Sequence, residues 1–326
     1  MSITPRSDRA KTVGTMGFLS QFSFTRTMVR DVRANPILLL CWTVVSASMT
    51  INDPLQEALN QTMKNRPGAA VALDVETGRI VASYHMDVAA RRIASPGSTV
   101  KPFTLMALLK AGLVSESTAF FCPRTVRIAG RKLDCSHPAV AEPIEPVIAL
   151  AYSCNHFFVT ASQQLSPDLL YRAFSEAGFN SLTGKWPTEV AGTVQQPASQ
   201  EAVELMSIGE DGVAVTPLAL AEAYRTLALG LRNPQQAAEL QLIVKGLERA
   251  VKEGTAQLAA SQEMRVAGKT GTSGGHAWFV GFAPAEHPEI VVLVFLERGR
   301  GGADAAPIAG RVFGAYSVWH KGNVRP

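Results

Sequence analysis

Apolar residues recur four apart at Leu55, Leu59 and Met63 between Asp53 and Asn65, which predicts an amphipathic helix. Two short apolar runs follow, Ala69 to Val75 and Arg79 to Tyr84, about a turn at Glu76-Thr77-Gly78. That arrangement predicts a β-hairpin. From residue 98 to about 262 the pattern is mainly helical, with loops rich in Pro, Gly and Ser. It is clearest over Thr99 to Lys110, Pro167 to Gly178, Pro217 to Gly230 and Gln241 to Lys252, and broken over Pro143 to Leu165. Strand character returns in Met264 to Lys269, His276 to Phe282 and Glu289 to Leu296, before a closing helix over Ala305 to Trp319. Two strands from one end and three from the other predict one five-stranded antiparallel sheet, flanked by helices and interrupted by a large helical insertion. The fold class is α+β, because hairpins at both ends require no βαβ repeat.

Composition places the chain among globular proteins: 326 residues, 47% hydrophobic and 18% charged. The formal charge of +4 is local. Residues 1–47 hold six Lys or Arg against Asp8 and Asp31, and the remainder carries 25 residues of each sign. No polyanion-binding surface is implied, and nucleic acid is excluded as a partner class on this ground. The basic segment runs into the apolar stretch Pro36 to Val45 and then Ser46-Ala47-Ser48. Ten apolar residues are short for a bilayer span but suit an export signal cleaved after Ala47. The expected division is therefore a leader over residues 1–47, acting as signal or uncleaved anchor, and one domain over 48–326 with a helical subdomain at about 99–262. Met28 would make an ordinary start for such a leader. Cys41 is a poor lipidation site after the bulky Leu40.

Three polar clusters carry candidate chemistry. Ser98 and Lys101 lie three apart just past Pro96-Gly97, at a helix start, so one turn places both side chains on one face. The Ser98 amide is among the unpaired N–H groups of that start, where negative charge is favoured. A buried lysine beside a hydroxyl loses its proton readily enough to serve as a base. Ser153-Cys154-Asn155 offers a hydroxyl for proton relay and an amide for a substrate carbonyl. Lys269-Thr270-Gly271-Thr272 closes a predicted strand and opens into Ser273-Gly274-Gly275. There Gly271 would let a substrate backbone approach, Thr270 and Thr272 would hold a carboxylate, and Lys269 would add positive charge.

The three clusters, in this order and these contexts, resemble the motifs of the penicillin-recognising serine enzymes. Pro96 to Phe103 and His276 to Pro284 are similar to the transpeptidase domains of class B penicillin-binding proteins, and the resemblance extends over roughly residues 66–318. It implies a β-lactamase/transpeptidase-like fold and a D,D-transpeptidase acting on peptidoglycan stem peptides, with β-lactams as covalent inhibitors. Ser98 would be the acylated nucleophile, Lys101 its base and Ser153 the proton shuttle. Asn155 would orient the donor, Lys269 would sustain a positive field, and Thr270 and Thr272 would hold the terminal carboxylate. The amides of Ser98 and Thr272 would form the oxyanion hole. No cofactor or metal is implied. The expected location is the cell envelope, on the periplasmic face, with an envelope polymerase as a further candidate partner and membrane contact only through the leader. About 50 residues lie between leader and Ser98, so the expectation is a catalytic domain without a long pedestal or a glycosyltransferase domain.

Alternatives are a D,D-carboxypeptidase, a β-lactamase, and a non-catalytic β-lactam or muropeptide sensor. Glu176-Ala177-Gly178-Phe179-Asn180 superficially matches the deacylating loop of class A β-lactamases, but reads better as a helix end and turn. Class D enzymes usually carry an apolar residue where Asn155 stands. Cys122 and Cys135 flank a turn at Ala129-Gly130, and export to an oxidising compartment makes a disulfide between them the leading expectation. Cys154, with no second partner, is expected to stay reduced. Zinc is the poorer reading, since His137 alone is nearby and no CxxC spacing exists.

Overall fold

Gly68–Asp74 (β1) and Ile80–Tyr84 (β2) form the expected hairpin in the computed structural model, which describes residues 53–139, 141–233 and 237–323. The expected leader, with Met28 and Cys41, lies outside the described residues. Asp53 caps the first helix, Pro54–Met63 (α1), by accepting from the Leu55 amide at 3.0 Å. Helix Met86–Arg91 (α2) follows β2; a short 3₁₀ turn, Gly97–Val100, then leads into Lys101–Lys110 (α3).

The helical insertion contains Pro146–Ala151 (α4), Asn155–Ser162 (α5), Pro167–Glu176 (α6), Gln200–Ser207 (α7), Pro217–Gly230 (α8) and Ala237–Lys252 (α9). It also holds one small hairpin and one two-residue antiparallel pair that the helical pattern concealed. Thr125–Ile128 (β3) pairs with Arg131–Asp134 (β4), and Thr193–Val194 (β5) pairs with Val213–Ala214 (β6). Pro in the first turn, where its missing N–H is harmless, marks the starts of α1 (Pro54), α3 (Pro102), α4 (Pro146), α6 (Pro167) and α8 (Pro217) in the sequence.

Ala267–Ser273 (β7), His276–Ala283 (β8) and Ile290–Leu296 (β9) complete the sheet, whose order is β2-β1-β9-β8-β7, antiparallel throughout. A π-helical turn, Gly301–Ala305, leads into the last helix, Ala306–Asn323 (α10). Strand β7 begins and ends later than the strand expected over Met264 to Lys269. The Lys269 motif therefore lies inside the strand, and the turn falls at Gly274-Gly275.

The central strand β9 is fully buried because both faces of the sheet are covered. Val71, Leu73, Val280, Val291, Leu293 and Phe295 face one core with the insertion helices. Ala70, Ala72, Phe279, Val292 and Val294 face a second core with α1 and α10. Pairing of β1 with β9 joins residues more than 200 positions apart, so the sheet closes only when both ends of the domain are present. Strand β7, at the sheet edge, packs most extensively against the Gly97–Val100 turn. Among the described residues no helix is long and apolar enough to cross a membrane.

Candidate active site

Ser98 occupies the 3₁₀ turn and Lys101 the first position of α3. A 3₁₀ turn has three residues per turn, so positions i and i+3 eclipse, and the two side chains issue from the same side of the backbone. Ser98 is half-buried whereas Lys101 is fully buried. The Lys101 Nζ donates to Asn155 Oδ1 at 2.7 Å, to the Ser153 carbonyl at 2.8 Å and to Ser153 Oγ at 3.2 Å. Burial lowers its pKa from 10.5 to about 8, against a smaller raising effect from the thiols of Cys154 and Cys135 and from Glu210. Among the described residues no hydrogen bond joins Ser98 to Lys101 or Ser153.

The turn that presents Ser153 is the end of α4. Cys154 N–H bonds to Ala149 C=O and Ser153 N–H to Leu150 C=O, the paired bonds of a Schellman ending. That ending needs a left-handed residue, and Ser153 supplies it with φ 57°. A serine there is strained by about 1–2 kcal/mol relative to glycine. Cys154 then caps α5, its Sγ accepting from Phe157 N. One three-residue segment thus closes one helix, opens the next and sets Ser153 and Asn155 around Lys101. Asn155 also donates through Nδ2 to Asp134 C=O at 3.2 Å, which docks the β3–β4 hairpin on this turn.

Strand β7 closes the other side. Lys269 is fully buried, donates to Thr270 C=O at 3.0 Å, and is held well below its ordinary pKa by burial and then by the Lys101 charge. Thr272 is exposed, its Oγ1 accepting from Gly301 N at 3.0 Å. Thr270, expected beside Thr272 at a substrate carboxylate, is buried and donates instead to Thr255 Oγ1 at 2.8 Å, because the Thr255 segment covers that part of the strand. At Gly271 a Cβ would lie 2.6 Å from Pro96 O and 2.8 Å from Thr99 Cγ2, so the missing side chain admits the nucleophile turn. Gly97, at φ 53°, approaches Thr272 O closely in the same way, which brings the Ser98 and Thr272 segments together.

Several residues that fasten this arrangement went unrecognised in the sequence. Ser95 Oγ donates to Gly209 O at 2.6 Å and accepts from Ser273 Oγ at 3.2 Å, while Ser95 C=O accepts from Trp278 Nε1 at 3.1 Å. Buried Tyr224 donates to Thr99 C=O at 2.8 Å. Trp278 lies in a stretch that the resemblance singled out. The others carry no local signal, since each acts across more than 100 positions of sequence. A cavity of about 1080 Å³ is lined by Glu116, Glu145, Lys245, Glu248 and Arg265, among others, and contains none of the motif residues.

The cysteines are arranged differently from the disulfide expectation. The Ala129-Gly130 turn does bring Cys122 and Cys135 together, but their Sγ atoms are 3.7 Å apart and both thiols are free, whereas a disulfide bond measures about 2.05 Å. Cys154 joins them, 3.5 Å from Cys122 and 3.9 Å from Cys135, and His137 Nε2 lies 3.5 Å from Cys122. These four donor atoms all lie within 4.8 Å of one another, so this group could hold a metal ion. Spacing arguments missed it because its members come from separate segments: the arm before β3, the exit of β4 and the α4–α5 turn.

Residues 68–314 match the family model for the penicillin-binding protein transpeptidase domain. The chain belongs to this family. The chain is 29% identical to the peptidoglycan D,D-transpeptidase PbpA of Mycobacterium tuberculosis, over 82% of this chain and 71% of that one. It is 25% identical to the peptidoglycan D,D-transpeptidase MrdA of Acinetobacter baumannii, over 85% of this chain and 55% of that one. Among solved structures it is similar to penicillin-binding protein A from M. tuberculosis as a ceftriaxone acyl-enzyme complex, with TM-score 0.70, 26% identity, and 80% and 78% of the two chains covered. Pseudomonas aeruginosa PBP2 in complex with WCK 5153 is likewise similar, with TM-score 0.72, 25% identity and 80% and 76% coverage. The expected α+β transpeptidase fold is thereby borne out.

Proposed function

We propose that the chain is a peptidoglycan D,D-transpeptidase of the cell envelope, acylated at Ser98 by D-Ala-D-Ala stem peptides and trapped there by β-lactams. The observation that carries this reading is the buried Lys101 amine, bracketed by Ser153 and Asn155 and one 3₁₀ turn from Ser98. Neutral Lys101 takes the Ser98 hydroxyl proton as Ser98 Oγ bonds to the penultimate D-Ala carbonyl carbon. The developing oxyanion is held by the backbone amides of Ser98 and Thr272. Ser153 relays the proton from Lys101 to the departing nitrogen, the amide C–N bond breaks, and D-Ala leaves as a free amine. In the second half an amine of another stem peptide attacks the ester, its proton returns through the same relay, and Ser98 is regenerated.

Asn155 orients the donor, and Lys269 contributes positive field from below β7. Exposed Thr272 is the better placed of the two threonines for the donor carboxylate. The covered position of Thr270 leaves it a supporting role through Thr255. Against the β-lactamase reading, Glu176 is exposed at the end of α6 and lines a groove with Met106, Leu169 and Leu227, which gives it no water to activate at Ser98.

The test is partition of an acyclic D-Ala-D-Ala thioester. Added D-amino acid should divert product from hydrolysis to transfer in proportion to its concentration. Hydrolysis unaffected by any acceptor amine would replace the transpeptidase reading with a carboxypeptidase.

A further inference from the structure

We propose that Cys122, Cys135, His137 and Cys154 bind one zinc ion, and that this ion holds the Ser153-Cys154-Asn155 turn in its working geometry. A tetrahedral site with Zn–S of about 2.3 Å and Zn–N of about 2.0–2.1 Å places its sulfurs about 3.8 Å apart and sulfur and nitrogen about 3.6 Å apart. The corresponding separations here are 3.7, 3.9 and 3.5 Å between sulfurs and 3.5 Å from Cys122 Sγ to His137 Nε2. These four of the six edges match a tetrahedral ion, and the other two, from His137 to Cys135 and to Cys154, lie within 4.8 Å. Three sulfur donors and one imidazole are a set that zinc favours over the harder magnesium or calcium.

The surroundings are also those of a ligand site. Each sulfur accepts one backbone N–H: Cys122 from Arg124, Cys135 from His156 and Cys154 from Phe157. Such bonds offset the charge of three thiolates around one divalent ion. His137 Nδ1 lies 2.7 Å from Pro138 O, so with the proton on Nδ1 the Nε2 lone pair is left facing the sulfurs. Cys135, His137 and Cys154 are nearly inaccessible to solvent, with exposures of 2%, 3% and 0%. On binding, the three thiol protons pass to solvent.

The consequence reaches the active site through one residue. Cys154 stands between Ser153, which is strained, and Asn155, which bonds Lys101. A metal bond at Cys154 anchors that turn to the β3–β4 hairpin from behind, supplementing the Asn155–Asp134 and His156–Cys135 bonds. Cys122, Cys135 and His137 are thus positioning residues for the Lys101 network. This link to acylation rests on the function proposed above, whereas metal binding itself does not.

The experiment measures zinc in the full chain by mass spectrometry of the metal, together with the visible spectrum after cobalt replacement. One zinc per chain and the intense absorption of tetrahedral cobalt–thiolate are expected, lost in His137→Ala and regained in His137→Cys. Chelation, well below the melting temperature of the zinc-free chain, should lower the limiting rate of acylation by a penicillin about 10- to 100-fold. The non-covalent binding constant should change little, and added zinc should restore the rate. Absence of zinc with a Cys122–Cys135 disulfide in unreduced protein would overturn the proposal. So would bound zinc whose removal leaves the limiting acylation rate unchanged. Absence of acylation in zinc-loaded protein would instead count against the proposed function.

Discussion

Lys101 Nζ meets Ser153 twice, at the backbone carbonyl (2.8 Å) and at the hydroxyl (3.2 Å). With Asn155 Oδ1 as third acceptor, the ammonium form is fully satisfied. The neutral amine is accommodated too: two N–H groups serve the carbonyl and Asn155, and the Ser153 hydroxyl turns to donate to the lone pair. One set of heavy atoms therefore suits both protonation states of Lys101, with Ser153 as the switchable member, as a proton relay requires.

The first prediction is a pH profile. Acylation by penicillin needs neutral Lys101, so its second-order rate constant should rise about tenfold per pH unit below about 8 and level off above. Asn155→Asp would set a carboxylate against the amine and should move the midpoint upward by about one unit or more. A flat profile in the parent protein between pH 6 and 9 would remove Lys101 from the role of base. The same depression has a stability consequence of defined sign. Because the folded pKa lies below the unfolded 10.5, burial weakens the fold most fully below pH about 8, on the order of 3 kcal/mol, and the penalty fades as pH rises towards 10.5.

Lys101→Met separates chemistry from folding. The side chain keeps most of the buried volume while the amine is lost. Desolvation of the charge is relieved, but the Ser153 carbonyl and Asn155 Oδ1 lose their donor, and the two effects oppose each other. Acylation should fall about 10²–10⁴-fold, with the melting temperature within about 5 °C of the parent. Timed mass spectra and a thermal melt on the same sample decide it.

How much of this was legible in the sequence depends on the range of each interaction. Strands β1, β2, β8 and β9 carry their own apolar runs, and helices α1, α3, α6 and α8 their own proline starts, so their positions follow from local pattern. Ser98, Lys101, Ser153, Asn155 and Lys269 were legible because the motifs combine local spacing with fixed order. Lys269 was placed at the end of its strand rather than inside it; Gly268 and Gly271 both lie within β7, where a Cβ would strike Phe279 or Pro96. The inward Thr270, the Ser95–Gly209–Trp278 fastenings and the Cys122–Cys135–His137–Cys154 group depend on chain crossings between distant segments, for which no local pattern exists.

Gly271→Ala tests the close approach of β7 to the nucleophile turn. The added methyl would have to displace Pro96 O or Thr99 Cγ2, at 2.6 and 2.8 Å. Overpacking of this kind costs about 1–3 kcal/mol. Acylation should fall more steeply than stability, because the displaced turn carries Ser98 and its amide. A variant acylated at the parent rate would show that the approach is slack.

The most direct measurement of the central claim is intact mass against time after mixing the folded chain with a penicillin, followed by a peptide map of the adduct. The account predicts one penicilloyl group on Ser98 that persists for minutes to hours. Glu176, the residue that superficially matches a deacylating carboxylate, is exposed in a groove that holds none of the motif residues, and the opened ring keeps its leaving nitrogen beside the ester. An adduct on another residue, or no adduct at all on folded protein, would contradict it. So would turnover above about 1 s⁻¹ without accumulation of an acyl-enzyme.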